Sequence, residues 1–394
     1  MTEQLPAHSP LGASGAYRWM VCPGSVGLSK GVNDPESEFA ALGTAAHALF
    51  EHCITSGTDA WELTGQAPAW INSSTFLTID KDMTDAVQVA LNAVRSAHPD
   101  RNQGNSFIEK PFHCPDLHSL FFGRSDFTYF DADARELHVW DYKHGAGVVV
   151  EVKDNPQLMY YGVGMLEQLQ LWTEVDQVVL HVAQPRGFHF DGPLRSWAIS
   201  TLGLEKWLDD TLIPAMNHAE VSRDTKSGDH CRFCPARTMA CPQLAADMDE
   251  LEKLMKTAVE KGSVTKLTNT QIGRYLELFD TAKIVAKAAN ATAFNRLQAG
   301  AKVPGRKLAK SRTNRDWKPE AEKAIKKKFG KKAYTEPKLK SPAQIDAMAE
   351  GAPLTARYAY KPEGGLTVVA QGDTRVAVSK DVKSLFKNQT KEKK

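Results

Sequence analysis

No window of the sequence approaches the roughly 18 apolar residues that a bilayer-crossing helix needs, which argues against a helical membrane protein. The N-terminal stretch MTEQLPAHSPLGASGAY holds no basic segment followed by an apolar one, so no export signal is expected and the protein is expected to be cytoplasmic. Cysteine is scarce, with six in 394 residues. In a reducing compartment these thiols stay free, which sets aside a disulfide framework and makes any tight Cys cluster a metal-site candidate. Internal repeats and long low-complexity tracts are also missing, which sets aside a solenoid. What remains is a globular chain, 42% hydrophobic and long enough to bury a sizeable core in two or three structural units.

The small net charge of +2 conceals a division. Residues 301–394 hold 24 Lys+Arg against 10 Asp+Glu, whereas residues 1–300 hold 25 against 37. Runs such as KAIKKKFGKK (323–332) suit phosphate neutralisation, and they equally suit a solvated face.

Two early helices are predicted, over EFAALGTAAHALFEHCI (38–54) and MTDAVQVALNAVRSA (83–97). Strands are predicted over 106–112, 120–130, 136–143, 147–152 and 177–184, with a helix over 156–172 opened by Pro156. The expected fold class is α/β, a mixed sheet with helices on its faces, over residues 1–245. A helical arm over 246–300 and a basic extension over 301–394 follow, the latter including a short helix over 341–351.

Chemistry concentrates in the strands 120–130 and 136–143. Alternation puts Leu137, Val139, Asp141 and Lys143 on one face of ELHVWDYK and His138, Trp140 and Tyr142 on the other. Asp126, after GRS, meets Asp141 if the two strands form a hairpin. Two carboxylates beside a lysine make a site for a hard cation such as Mg²⁺ or Mn²⁺, although an ordinary solvated hairpin has the same sequence. Gly43, His47 and Glu51 lie on one stripe of the first helix, and Gln157 and Tyr161 point the same way on the later one. Glu109, in FIEKPF, reads as a strand-edge surface residue or an accessory carboxylate. The run HCRFCPARTMACPQ carries Cys231, Cys234 and Cys241, one thiol short of a complete metal or cluster site.

In this order, GTAAH (43–47), GRSD (123–126), DYK (141–143) and QLMYY (157–161) resemble the motifs of the RecB-like branch of the PD-(D/E)XK nuclease superfamily, with its restriction-endonuclease-like fold. The resemblance covers residues 12–245. It implies a metal-dependent DNA exonuclease in which Asp126, Asp141, His47 and the Tyr142 carbonyl hold the ion. In the same reading Lys143 positions the attacking water, and Gln157 and Tyr161 steady the strand being cut. The iron–sulfur members, among them CRISPR-associated RecB-like nucleases and AddB-type subunits, place one cysteine before the core and three after it. That gives Cys22 as the fourth ligand and a [4Fe-4S] cluster on Cys22, Cys231, Cys234 and Cys241, with zinc as the competing occupant and His230 as a substitute ligand. Closing that loop is worth roughly 5 kcal/mol by chain entropy. Cys53 and Cys114 then read as plain thiols. The C-terminal half resembles a phage and prophage family of RecB-like proteins, implying a role in phage DNA metabolism or recombination with a single-strand-binding or annealing protein as partner. The rival reading is a non-catalytic DNA-binding or assembly protein that keeps the fold and the cluster.

Overall fold

The computed structural model describes residues 8–32, 38–71, 78–189, 191–238 and 241–312, with 315–318, 320–335, 338–339, 342, 345, 352–360, 366–370 and 376–378 beyond them. It divides into two compact units, Met1–Ile284 and Val285–Lys394. In the first unit, short helices α1 (Ala16–Trp19) and α2 (Gly24–Ser29) precede α3 (Glu38–Ser56) and α4 (Lys81–Ala97). Next come β1 (Ser106–His113), β2 (Phe122–Asp131), β3 (Glu136–Tyr142), α5 (Pro156–Leu169), β4 (Gln177–Ala183) and β5 (Leu194–Ser200). The helices α6 (Thr201–Trp207), α7 (Ile213–Val221), α8 (Pro242–Glu260) and α9 (Asn269–Gln298) follow, and the unit boundary falls within α9.

The five strands form one mixed sheet in sequence order. All neighbours are antiparallel except β3 and β4, which run parallel with α5 as their crossover. Helices pack on both faces, as the expected α/β class requires. Leu137 and Val139 enter a core with Leu158, Val163 and Leu166 of α5, while Trp140 and Tyr142 enter a second core with Leu49 and Phe50 of α3 and Val87 and Leu91 of α4. The side-chain alternation expected for β3 therefore separates two cores.

Local chemistry fixes the helix ends. Asp80 caps α4 by accepting from Met83 N at 2.8 Å. Asn155 caps α5 through Gln157 N and Leu158 N, with Pro156 in the first turn, where its missing N–H costs nothing. Gly164 lets α5 close on the sheet: a Cβ there would sit 2.3 Å from the Phe112 ring.

Two sequence expectations need correction. Residues 147–152 are not a strand and pair with none of the five strands of the sheet. The segment is held by side chains instead: Val150 N donates to Gln184 Oε1 at 3.0 Å, and Arg195 Nη2 donates to Val150 O at 2.9 Å. The fifth strand is β5, an edge strand whose inward positions are Arg195, Trp197 and Ile199, so the arginine breaks the apolar alternation of LRSWAIS.

In the second unit, β6 (Arg306–Lys310) pairs with β11 (Leu366–Ala370), β7 (Asp316–Trp317) with β10 (Ala359–Tyr360), and β8 (Tyr334–Thr335) with β9 (Lys338–Leu339). The lysine-rich helix is α10 (Ala321–Phe329), which buries Ala321 and Ile325 in a small core with Ala333 and Ile345. A further helix, α11, spans Ala352–Tyr358. Apart from Pro342 and Ile345, the helix expected over 341–351 lies outside the described residues.

Candidate metal centre and cysteine pocket

His47 projects from α3 and Asp126 from β2, with His47 Nδ1 3.3 Å from Asp126 Oδ2. Glu109 of β1 joins them, and the three offer ligand atoms all within 4.8 Å of one another. They line an open groove together with Gly43, Thr44 and Glu51. The β2–β3 register runs through Phe127–Trp140, so one step further Asp126 stands across from Asp141. The Tyr142 N–H donates to Asp126 Oδ2 at 2.9 Å, locking that carboxylate to the strand that carries Asp141 and Lys143.

Asp141 is 2% exposed at its side chain. Lys143 Nζ donates to its Oδ1 at 3.0 Å and stands 2.8 Å from Oδ2, an oxygen that accepts no hydrogen bond among the described residues. Lys143 Nζ also donates to Gln157 Oε1 at 3.0 Å, and Gln157 Nε2 reaches Tyr161 OH at 3.1 Å. Gln157 and Tyr161 are thus turned toward Lys143. The Tyr142 ring lies against His47 and stacks on Phe50.

Electrostatics follow from this crowding. Burial opposes ionisation of Asp126, but the His47 charge and hydrogen bond, with Lys143 and the Tyr142 N–H, outweigh it and lower its pKa. Burial raises Asp141, Lys143 counteracts it, and the Asp126 charge adds to the rise. Glu109 is pushed up to about 7 by burial and then by Asp126. His47 is raised: burial pulls it down, and the contact with Asp126 more than compensates. Such a set of competing carboxylates is relieved by a cation.

The second cluster lies elsewhere in the same unit. Cys22, between α1 and α2, lines one pocket with Cys231, Cys234 and Cys241. A helical turn, Asp229–Phe233, carries Cys231, and Cys241 stands at the N-terminus of α8. Hydrogen bonds join the segment before the sheet to the one after it there: Gly24 N donates to Asp224 O at 2.8 Å, and Lys226 N donates to Cys22 Sγ at 3.3 Å. His230 is in the pocket wall, with its Nε2 2.8 Å from Lys226 O.

A family profile described as "Protein of unknown function (DUF2800)" matches residues 8–376. The chain belongs to this family. No solved structure matches it.

Of the metal ligands expected in this DUF2800 chain, His47 and Asp126 stand together with Glu109, whereas Asp141 is paired with Lys143. Glu109 is not a strand-edge surface residue. Its side chain is half-buried and faces His47 and Asp126 because its backbone adopts φ +46°, a left-handed kink inside β1 that alternation does not foresee. In the sheet it stands across from Asp126, between the Ile108–Phe127 and Lys110–Ser125 pairs. Cys53 and Cys114 sit in the two cores, where burial pushes their thiols up to about 11 and about 12. No helix among the described residues is long and apolar enough to cross a membrane.

Proposed function

We propose that this chain is a divalent-metal-dependent deoxyribonuclease of the RecB-like PD-(D/E)XK type. The observation that carries this reading is the convergence of His47, Glu109 and Asp126 within 4.8 Å, bonded through the Tyr142 N–H to the strand bearing Asp141 and Lys143. The donor set fits a hard cation, since two carboxylates and an imidazole converge on an open groove. His47, Asp126 and Glu109 would hold the ion, with Asp141 and the Tyr142 carbonyl as the further ligands the resemblance implies. When bound, Mg²⁺ or Mn²⁺ supplies charge neutralisation at the phosphate and a more acidic water.

The chain's own residues do the rest. Lys143 Nζ, fixed between Asp141 and Gln157, orients the attacking water and stabilises the negative charge that builds as the phosphodiester is displaced. Gln157 sets the ammonium's direction, and Tyr161, kept a neutral phenol by burial and by Asp141, sets the direction of Gln157.

The cysteine pocket fits a [4Fe-4S] cluster held by Cys22, Cys231, Cys234 and Cys241, which supplies a covalent staple between the two ends of the sheet unit. Zinc on the same four thiolates is the competing occupant.

The test is digestion of end-labelled linear and closed circular DNA with Mg²⁺ or Mn²⁺, comparing wild type with Lys143→Ala. An exonuclease degrades the linear form alone and the variant leaves it whole. A wild type that binds DNA and cuts neither form would select the non-catalytic DNA-binding alternative.

A further inference from the structure

The parallel pair β3 and β4 ends beside the metal centre, and ligands of open α/β sheets gather outside such carboxyl ends. Lys143 N donates to Ala183 O at 2.8 Å, so the residues leaving β4 start next to the lysine. They form a tight turn, Gln184-Pro185-Arg186-Gly187, closed by Gly187 N to Gln184 O at 3.2 Å. Proline second and glycine fourth suit such a turn. Here glycine is also needed for space, because a Cβ at Gly187 would lie 2.7 Å from the Gln184 side chain.

That side chain pins the turn. Gln184 Nε2 donates to Gly145 O at 2.8 Å and to Val148 O at 2.7 Å, and its Oε1 accepts from Val150 N and from Arg195 Nη2. The turn is rigid at its base and exposed at its apex. At the apex Arg186 points its Nη1 at His144 Nε2, 2.7 Å away. A guanidinium has only donors, so Nε2 must be the acceptor and His144 is uncharged, its Nδ1–H directed at Tyr142 OH, 2.8 Å away. Arg186 is therefore aimed by a neutral group. Among the described residues no carboxylate comes within ion-pair distance of it, which leaves an exposed cation with unused donors beside an acidic metal centre. Two residues on, Phe188 is 89% exposed.

We propose that the 184–188 turn is a clamp for single-stranded DNA beside Lys143, with Arg186 holding a phosphate and Phe188 stacking on an unpaired base. This deepens the nuclease reading and rests on it. Bidentate donors suit a phosphate, and an exposed aromatic ring meets a base face only where that base is unstacked, so the clamp selects a single strand or a frayed end over a blunt duplex.

The test is anisotropy of a labelled oligothymidylate and of a blunt duplex of equal length, with Ca²⁺ in place of Mg²⁺ to prevent cutting, over a range of NaCl. Wild type is expected to bind the single strand more tightly. Phe188→Ala should weaken single-strand binding at least about 5-fold and leave the duplex nearly unchanged. Arg186→Ala should lower the slope of log affinity against log salt by about 0.7, the loss of one phosphate contact, while Arg186→Lys retains the slope. Phe188 is too exposed for its replacement to unfold the protein, and equal melting temperatures establish the same for the Arg186 pair. Wild-type affinity and slope in both alanine variants, or a wild-type preference for the blunt duplex, overturns the clamp while leaving cleavage intact. A wild type that neither binds nor cuts DNA overturns the nuclease reading itself.

Discussion

At the scale of single residues, the groove concentrates charge that the fold alone does not need. Glu109 shows this most plainly, since burial and the Asp126 carboxylate both resist its ionisation and its backbone sits in a region sparsely used by non-glycine residues. A strained, disfavoured carboxylate aimed at another is expected where a cation binds. Glu109→Gln should therefore weaken Mn²⁺ binding about tenfold or more by titration calorimetry, an interaction of the size seen for groups around metal sites. The same variant should leave the melting temperature of the metal-free protein unchanged or raise it. An unchanged Mn²⁺ affinity would remove Glu109 from the site.

At the scale of elements, the face of β3 opposite Asp141 carries a histidine group that matters for stability. His98, at the end of α4, accepts from Trp140 Nε1 at 3.0 Å and stacks on Tyr129, so it must be neutral there. Burial, then His138, lowers its pKa to about 4. Its folded value lies below its unfolded one near 6.5, so the unfolded chain takes up the proton first. Its contribution is present above pH 6.5 and is lost as the pH falls toward 4. Denaturant melts should show stability declining through that window by an amount on the order of 1–3 kcal/mol, and His98→Asn should flatten the decline. A wild-type curve flat from pH 7 to 4.5 would contradict this packing.

The elements also show what was legible. Alternation in ELHVWDYK reads correctly because β3 lies in the middle of the sheet with a core on each face, and Gly43, His47 and Glu51 read as one stripe because α3 is regular. Residues 147–152 misled because β-branched propensity says nothing about whether a sheet edge is open, and that is a tertiary fact. β5 escaped because its burial alternates but its most buried inward position is Arg195, which hides the pattern in the sequence. The Glu109 kink depends on long-range packing, so its aim could not be read from FIEKPF. The Gln184 anchor likewise joins residues about 40 apart in sequence, and nothing local announces it.

At the scale of the whole molecule, the cysteine pocket joins the segment before the sheet, at Cys22, to the segment after it, at 226–244, and the lysines gather in the second unit. Protein purified without oxygen should be brown, with broad absorption near 400 nm from thiolate-to-iron charge transfer, which zinc lacks. Cys22→Ser should bleach it and lower the cooperative melting of the sheet unit, whereas Cys53→Ser should keep the colour. Removing residues 301–394 should weaken DNA binding and flatten its salt dependence, because fewer counterions are released, while cleavage at saturating DNA persists. A folded truncation with no cleavage would place the basic extension inside the active site.

The most direct test joins metal and chemistry in one titration: single-turnover cleavage of labelled linear DNA against Mn²⁺ concentration, for wild type, Asp126→Ala and Lys143→Ala. The expected result is a saturable metal dependence in wild type and a strong shift to higher Mn²⁺ in Asp126→Ala. In Lys143→Ala, Mn²⁺ should still bind by calorimetry while the cleavage rate falls 100-fold or more, the scale on which positioned charge-stabilising groups act. Cleavage at the wild-type rate in Lys143→Ala, or a wild type that binds no Mn²⁺, would contradict the assignment of His47, Glu109, Asp126, Asp141 and Lys143 as a nuclease centre.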